Sequence, residues 1–170
     1  KDLLKEKYNI LNRYILKNYS KVSWAATNNV LFKFEQIKKN NIRFDTFLNK
    51  IGGSDQLFFK KLFINGSKII WNRKAIVREI LGKSRYTDEW FNKRSFRYGY
   101  SAAYMDQVLF GKFQGFFYSS AKFIIFFILS FFYLFLHYFN RKNFYLKKYY
   151  FFKAFGILSF YLGAKIKAYF

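Results

Sequence analysis

Closely spaced Lys and Arg side chains are the residues of this sequence best suited to chemistry, and that chemistry is the neutralisation of phosphate groups. The first cluster surrounds an Asn65-Gly66 turn and consists of Lys60, Lys61, Lys68, Arg73 and Lys74. The second cluster follows a long uncharged run and consists of Arg141, Lys142, Lys147 and Lys148. Arg can hold a phosphate through two parallel hydrogen bonds, whereas Lys acts on it as a point charge.

Basic and aromatic side chains also alternate over residues 83–100, in the segment KSRYTDEWFNKRSFRYGY. Arg94 and Arg97 would neutralise phosphates there. The rings beside them would stack on bases or riboses, and the candidates are Trp90, Phe96 and Tyr98. An aromatic core with solvated cations is an equally good interpretation of this segment in so aromatic a chain.

The whole chain is strongly basic, with 31 Lys and Arg against 9 Asp and Glu and a formal charge of +22. Such a charge repels itself in an isolated compact state, so a polyanionic partner is expected to neutralise it. The last acidic side chain is Asp106, and the cations after it are predicted to face phosphate, counterions or water. Three of them complete the predicted RNA contacts: Lys112, Lys165 and Lys167.

Motifs of enzyme active sites are absent from the sequence, which has no glycine-rich phosphate loop and no nucleophile elbow. Zero Cys excludes disulfides and thiolate zinc sites, and the single His137 cannot build a histidine metal site. The adjacent carboxylates Asp88 and Glu89 would face different directions on a helix, and we expect each to pair with a nearby Arg or Lys. We therefore predict no enzymatic activity, no cofactor and no metal.

Helices are the main elements expected to position these residues. Apolar and basic positions over residues 1–39 recur at helical spacing and predict two helices, broken near Ser23. Gly52-Gly53-Ser54-Asp55 precedes a predicted helix over 56–63. After the Asn65-Gly66 turn a second helix is predicted over 69–81, ending at Gly82. These two helices form a predicted helix-turn-helix hairpin that carries the first cluster.

The glycines Gly111 and Gly115 lie between two short apolar segments, 108–110 and 116–118. This pattern predicts a small β-hairpin. Another aromatic helix is predicted over 149–161, stopped by Gly163. The expected fold class is mainly α, a helical bundle with a small β-hairpin around residues 108–120. Residues 1–50 form a basic helical extension, and residues 51–170 form the main helical domain.

No charged residue occurs over residues 123–139. As a helix this run would extend about 25 Å, close to the roughly 30 Å hydrocarbon core of a bilayer. The aromatic ends and the cations that follow the run are typical of a transmembrane helix. Lys122 at its other end favours a soluble helix, as does the richness in Phe that AT-rich codons produce in an organellar genome. Both interpretations remain open from the residues alone.

The order of these features resembles the small-subunit ribosomal protein seven family, in its mitochondrially encoded form. FFKKLFINGSKII is similar to a helix and turn of that family, with Gly66 and Lys68 at the matching places. GKFQGFFYSS is similar to its hairpin, although the family's usual proline is missing. FIIFFILSFFYLFLHYFNRK is similar to its apolar helix with a basic end, and LGAKIKAYF to its tail. The resemblance covers residues 56–170.

The resemblance implies a helical bundle with a projecting β-ribbon that binds the 3′ major domain of small-subunit rRNA in the head. Its partners would be that rRNA, neighbouring ribosomal proteins, and the mRNA or exit-site tRNA, in the mitochondrial matrix. The run 123–139 would then be a central bundle helix, buried on most faces. The alternative is a membrane subunit of a respiratory-chain or ATP-synthase complex, anchored in the mitochondrial inner membrane by residues 123–139.

Overall fold

The computed structural model describes residues 16–80, 82–140 and 143–166, and most of them are helical. Helix α1 spans Phe34–Asn40, α2 spans Ser54–Ile64, α3 spans Asp88–Phe139 and α4 spans Phe144–Tyr161. Strands β1 (Lys21–Val22) and β2 (Ile69–Ile70) pair as an antiparallel sheet, with Lys21 opposite Ile70. Short 3-10 turns occupy Thr27–Asn29, Phe47–Asn49 and Lys83–Tyr86. The predicted class, a mainly α helical bundle with a small β-hairpin, is confirmed, although the strands pair residues 21–22 with residues 69–70.

The chain divides between Ile80 and Leu81 into two compact units. Among the described residues, the first unit contains 16–80, and the second unit contains 82–140 and 143–166. The boundary suggested at residue 50 lies inside the first unit. Residues on both sides of it share one core, since Ile42 packs against Phe58 and the ring of Phe44 stacks on that of Phe58 at 4.2 Å.

Large apolar side chains form the core of the first unit. One face of α2 buries Leu57, Phe58, Phe59 and Leu62. Gly53 precedes this helix with φ of 95°, a left-handed backbone that glycine adopts without strain. The helix predicted over 56–63 is confirmed, and it begins two residues earlier and ends one residue later.

The second half of the predicted helix-turn-helix hairpin is wrong. Ile69–Ile70 is strand β2, and residues 71–80 form no helix and are exposed throughout. The backbone amides there bond to a distant segment, because Trp71 N–H donates to Ser20 O at 2.9 Å and Tyr19 N–H to Trp71 O at 2.7 Å. β-Branched Ile69 and Ile70 favour an extended backbone, which this partner strand stabilises.

The two helices expected over residues 1–39 are only partly testable, since residues 1–15 lie outside the described chain. Beyond them, β1 occupies Lys21–Val22, close to the predicted break at Ser23. A helix does follow, as α1, but it begins only at Phe34.

Helix α3 reverses direction at Gly111, where φ is 80° and ψ is 168°. Lys122 Nζ lies 2.6 Å from Asp106 Oδ1, although sixteen residues separate the two. In a straight helix that separation would be about 24 Å. We call the two antiparallel arms α3a (residues 88–110) and α3b (residues 112–139). The β-hairpin predicted around 108–120 is therefore wrong, and the same segment is a helical hairpin turned at Gly111.

Helix α4 packs against both arms and completes a three-helix bundle. Its Tyr145 ring contacts Phe91 of α3a at 5.5 Å, and its Tyr150 ring stacks on Tyr133 of α3b at 5.5 Å. The helix predicted over 149–161 is confirmed, with a start five residues earlier. It ends as predicted before Gly163, whose φ of 71° lets the amides of residues 163 and 164 cap the last turn.

Candidate functional site

Small side chains are numerous among the buried residues of the three helices of the second unit. The small buried residues of α3 and α4 are Ser95, Gly99, Ser101, Ala103, Gly115, Ser119, Ser130, Ala154, Gly156 and Ser159. The larger ones are Phe91, Tyr100, Met105, Asp106, Tyr145, Leu146 and Ile157. Helices that associate through small residues bring their backbones into close contact.

Two glycines bring α3a and α4 into backbone contact. A Cβ atom added to Gly99 would collide with the carbonyl oxygen of Lys153, and one added to Gly156 would collide with that of Phe96. A similar restriction holds between the two arms of α3, where a Cβ on Gly115 would lie 2.7 Å from Asp106 O. The bundle therefore tolerates no side chain at these positions.

Buried serines in the bundle satisfy their hydroxyls within the helices. Ser95 Oγ donates to Phe91 O at 2.8 Å, and Ser101 Oγ donates to Arg97 O at 2.8 Å. Each bond reaches the preceding turn of the same helix, a pattern that hides a hydroxyl from an apolar environment. Ser130 Oγ lies 3.5 Å from Lys147 O and links α3b to α4.

Large apolar side chains of α3b point away from the bundle. The exposed residues are Phe113, Phe116, Phe117, Tyr118, Ile124, Ile125, Phe127, Ile128, Phe131, Phe132, Leu134, Phe135, Tyr138 and Phe139, which we call the apolar face of α3b. An 18-residue window of α3 has a mean hydropathy of 2.0, yet only 11% of that window is buried. Within the chain itself, the run 123–139 is therefore not covered on most faces.

Both units have buried clusters of large apolar side chains. In the first unit the fully buried side chains include Leu48, Leu57, Phe58 and Phe59. In the second unit Phe91, Tyr145 and Leu146 form a buried cluster beside the small residues, while on the outside Ile128 is 61% exposed and Phe135 63% exposed. Length and apolar composition alone also occur in the core helix of a soluble protein, but such a helix is mostly buried.

A buried ion pair joins the two arms of α3. The Asp106 side chain is 1% exposed, and Lys122 Nζ lies 2.6 and 2.7 Å from its two carboxylate oxygens. Ser119 Oγ donates to Asp106 Oδ2 at 3.0 Å. The prediction that cations after Asp106 meet no carboxylate is wrong here, and again at Lys148, which lies 3.2 Å from Asp88. Sequence spacings of 16 and 60 residues gave no signal of either pair.

One end of the bundle gathers the starts of α3a and α4 and the end of α3b, and we call it the open end. Tyr145 Oη donates to Asp88 Oδ1 at 3.2 Å, and the rings of His137 and Phe144 are 5.3 Å apart. The Gly111 turn forms the opposite end. Four cations lie within the first two turns of α3a and α4: Lys93, Arg94, Lys147 and Lys148.

Glu89, one of the two carboxylates at the open end, pairs with a cation nearby in the sequence, as predicted. Glu89 forms an ion pair with Lys93 one helical turn later, at 2.5 Å. The hydrogen bond and positive charge of Lys93 lower the pKa of Glu89 below its ordinary value. Asp88 contacts Lys148 and Tyr145 of α4, far away in sequence.

The residues predicted to bind RNA fall in both units. In the first unit Lys60 and Lys61 are half-buried on α2, while Lys68, Arg73 and Lys74 are exposed around β2. In the second unit Arg94 and Arg97 lie on α3a, Lys147 and Lys148 lie on α4, and Lys112 and Lys165 are exposed. The remaining three, Arg141, Lys142 and Lys167, lie outside the described residues.

The predicted stacking residues are engaged within the bundle. The ring of Phe96 packs on Phe155 at 5.8 Å. Trp90 and Tyr98 hold the guanidinium of Arg94, whose Cζ lies 5.5 and 5.1 Å from the two ring centroids. Within the segment 83–100, Phe96 therefore fits the aromatic-core interpretation. Trp90 and Tyr98 instead contact the cation of Arg94.

Comparisons with protein families, with curated proteins and with solved structures find no match for this chain. In the part of the chain that the structure describes, no group of three or more His, Asp or Glu is placed to hold a metal ion.

Proposed function

We propose that this protein is a structural membrane subunit whose second unit lies in a lipid bilayer, with α3b as the main membrane-spanning segment. The observation that carries the proposal is the distribution of side chains in the second unit, with close helix contacts at small residues and an exposed face of large apolar residues along α3b. In water, folding buries large apolar side chains because their transfer from water is favourable. In a bilayer the surroundings are already apolar, and helices associate through small residues and hydrogen bonds.

The dimensions of α3b suit this role. Its 112–139 range corresponds to about 42 Å of helix, enough to cross a hydrocarbon core of about 30 Å with both ends in the headgroup regions. The charge at Lys122 is compatible with this depth, because it lies against the buried carboxylate of Asp106. A paired charge is the form in which ionisable residues occur inside membranes. The host would be a mitochondrial inner-membrane complex of the respiratory-chain or ATP-synthase class.

Carbonate extraction of organelle membranes tests the proposal. We expect the full chain to stay in the membrane pellet at alkaline pH, because its apolar face is covered by lipid and not by ionic contacts. Release into the supernatant, followed by sedimentation with the small ribosomal subunit, would overturn the proposal.

A matched pair of substitutions sharpens this test. Ile128→Asp places a carboxylate on the apolar face of α3b, where the native side chain is 61% exposed. A charge at the centre of a membrane helix costs roughly 3 kcal/mol, so we expect this variant to be lost from the pellet. The control is Ile76→Asp in the first unit, where the native side chain is 76% exposed and where the same substitution should leave retention unchanged. Equal retention of both variants would argue against a bilayer around α3b.

A second proposal is a structural constituent of the mitochondrial small ribosomal subunit that binds rRNA. The charge of +22 and the exposed cations Lys68, Arg73 and Lys74 favour it. Neighbouring ribosomal proteins would then cover the apolar face of α3b. Binding to small-subunit rRNA should weaken steeply with salt, since each phosphate contact releases counterions. Replacing these three cations by Gln should make the salt dependence shallower, whereas an unchanged slope would contradict this second proposal.

A further inference from the structure

We propose that the open end of the second unit binds the phosphate groups of anionic phospholipids through Lys147, Lys148 and Arg94. This inference rests on the proposed embedding of the second unit in a bilayer. It adds a lipid class and a binding site to that proposal.

The first argument is the continuity of apolar and basic surface at the open end. The apolar face of α3b continues to this end, with Phe135 63%, Tyr138 87% and Phe139 69% exposed. Lys148 belongs to the same end, since it contacts Asp88 at the start of α3a. A phospholipid can cover both surfaces at once, with acyl chains on the rings and its phosphate on the cations. RNA would offer phosphates but no apolar chains for the exposed rings.

The second argument is the way in which aromatic rings hold these cations. Lys148 Nζ lies 4.3 Å from the centroid of the Phe144 ring, and Lys147 Nζ lies 5.2 Å from the same centroid. A ring attracts a cation through its quadrupole and leaves the positive charge available to an anion. On α3a, Arg94 Cζ lies 5.5 and 5.1 Å from the ring centroids of Trp90 and Tyr98, and Arg94 Nε also donates to Tyr98 Oη at 3.1 Å. Trp and Tyr are the residues enriched at the level of lipid headgroups.

The third argument is the charge balance at the open end. Among the described residues at the starts of α3a and α4, the cations Lys93, Arg94, Lys147 and Lys148 stand against two carboxylates, Asp88 and Glu89, so their summed formal charge is positive. The ion pair between Lys148 and Asp88 is 3.2 Å long and partly exposed, with 24% and 47% of the two side chains accessible. An ammonium group has three donors and can hold a phosphate beside this carboxylate.

Thermal unfolding of the purified full chain in a neutral detergent tests the inference. Added phosphatidylglycerol should raise the melting temperature by several degrees more than added phosphatidylcholine, because a ligand that binds the folded state stabilises it. The titration gives an apparent affinity for phosphatidylglycerol. We expect K147Q/K148Q to weaken it about 30-fold, since each Lys beside an anionic lipid surface contributes roughly a factor of five.

Two further variants separate the site from a general charge effect. K147R/K148R keeps both positive charges and should retain the difference between the two lipids. Lys112→Gln removes an exposed cation at the Gly111 end of the bundle and should also retain it. The melting temperatures of all variants without added lipid report whether each has folded.

The outcomes distinguish this inference from the proposed function. A chain that stays in the carbonate pellet but is stabilised equally by both lipids would overturn the lipid site alone. Equal losses in K147Q/K148Q and Lys112→Gln would also overturn it. Stabilisation by a short single-stranded RNA but not by phosphatidylglycerol, lost in K147Q/K148Q, would assign this end to RNA. Release of the chain by carbonate would overturn the membrane proposal itself.

Discussion

Asp106 and Lys122 form a buried ion pair across the two arms of one helix, with Lys122 Nζ 2.6 Å from one carboxylate oxygen and 2.7 Å from the other. The pair exists because Gly111 reverses the chain between them. It joins the first arm, which carries most of the charged residues of α3, to the second arm, which carries the apolar face. The interior of the bundle therefore combines a turn, an ion pair and small side chains with the apolar cluster of Phe91, Tyr145 and Leu146.

Asp106→Asn should destabilise the second unit. The substitution leaves the ammonium group of Lys122 half-buried without its anion. We expect a loss of about 2 kcal/mol, between the small value of an exposed pair and the larger value of a fully buried one. Thermal unfolding in detergent, followed by circular dichroism, measures the loss.

Two controls accompany this prediction. Glu89→Gln breaks the exposed ion pair with Lys93 and should leave the melting temperature unchanged. Combining Asp106→Asn with Lys122→Met removes both charges and should cost less than the sum of the single changes, because neither charge is then left alone. Additive losses would show that the two side chains do not interact.

Spin labels should report the reversal at Gly111 directly. The chain has no native Cys, so Lys93→Cys and Phe135→Cys can be labelled without removing other thiols. Both positions are exposed. A straight helix would separate them by about 63 Å, whereas the hairpin brings them to the same end of the bundle. Double electron–electron resonance should give a distance below about 35 Å, and a distance near that of a straight helix would refute the hairpin.

Gly99→Ala should separate α3a from α4. Its new methyl group would collide with the backbone carbonyl of Lys153, which cannot move like the end of a flexible side chain. Overpacking of this kind costs about 1–3 kcal/mol or more. The matched control is Gly82→Ala, where the nearest atom would be Ser84 Oγ at 3.9 Å and the residue has φ of −63°. This control should be neutral or slightly stabilising, and equal losses at both positions would contradict the close helix contact.

Phe59→Ala should destabilise the first unit. The side chain is 1% exposed and packs with Ile42, Phe58 and Leu62. Its truncation should cost about 3–5 kcal/mol, through lost burial and the cavity left behind. Phe63→Ala on the same helix is the control, because its side chain is 39% exposed and its loss should cost about 1 kcal/mol or less. Denaturant unfolding followed by the backbone signal compares the two variants.

Local signals account for the features that the sequence predicted correctly. Gly53 before α2 and Gly163 after α4 both adopt positive φ. Helix ends often need this backbone conformation, so a glycine in the sequence marks a helix end to within a few residues. The ion pair of Glu89 and Lys93 is also local, because residues four apart face each other on a helix. Each of these features depends on neighbours along the chain.

The wrong predictions concern segments whose partners are remote. Residues 69–81 were expected to be helical, but Ile69 and Ile70 pair with β1, almost fifty residues earlier in the chain. At Gly111 a glycine between short apolar segments is compatible with a strand hairpin or a helical hairpin. The contacts of Gly115 with Asp106 and of Phe116 with Tyr161 belong to the helical one.

The sequence by itself determined the composition, the positive charge, the helical class, and the helix ends marked by Gly53 and Gly163, because these depend on residue types and near neighbours. Only the tertiary structure decided that Asp106 meets Lys122, that Lys148 meets Asp88, and that most of the large apolar side chains of residues 123–139 are exposed. The sequence of an apolar run is the same whether its side chains are buried or exposed. Which of the two it becomes depends on the residues that face it, and here Phe144, Lys147 and Tyr150 of α4 contact only one side of the run.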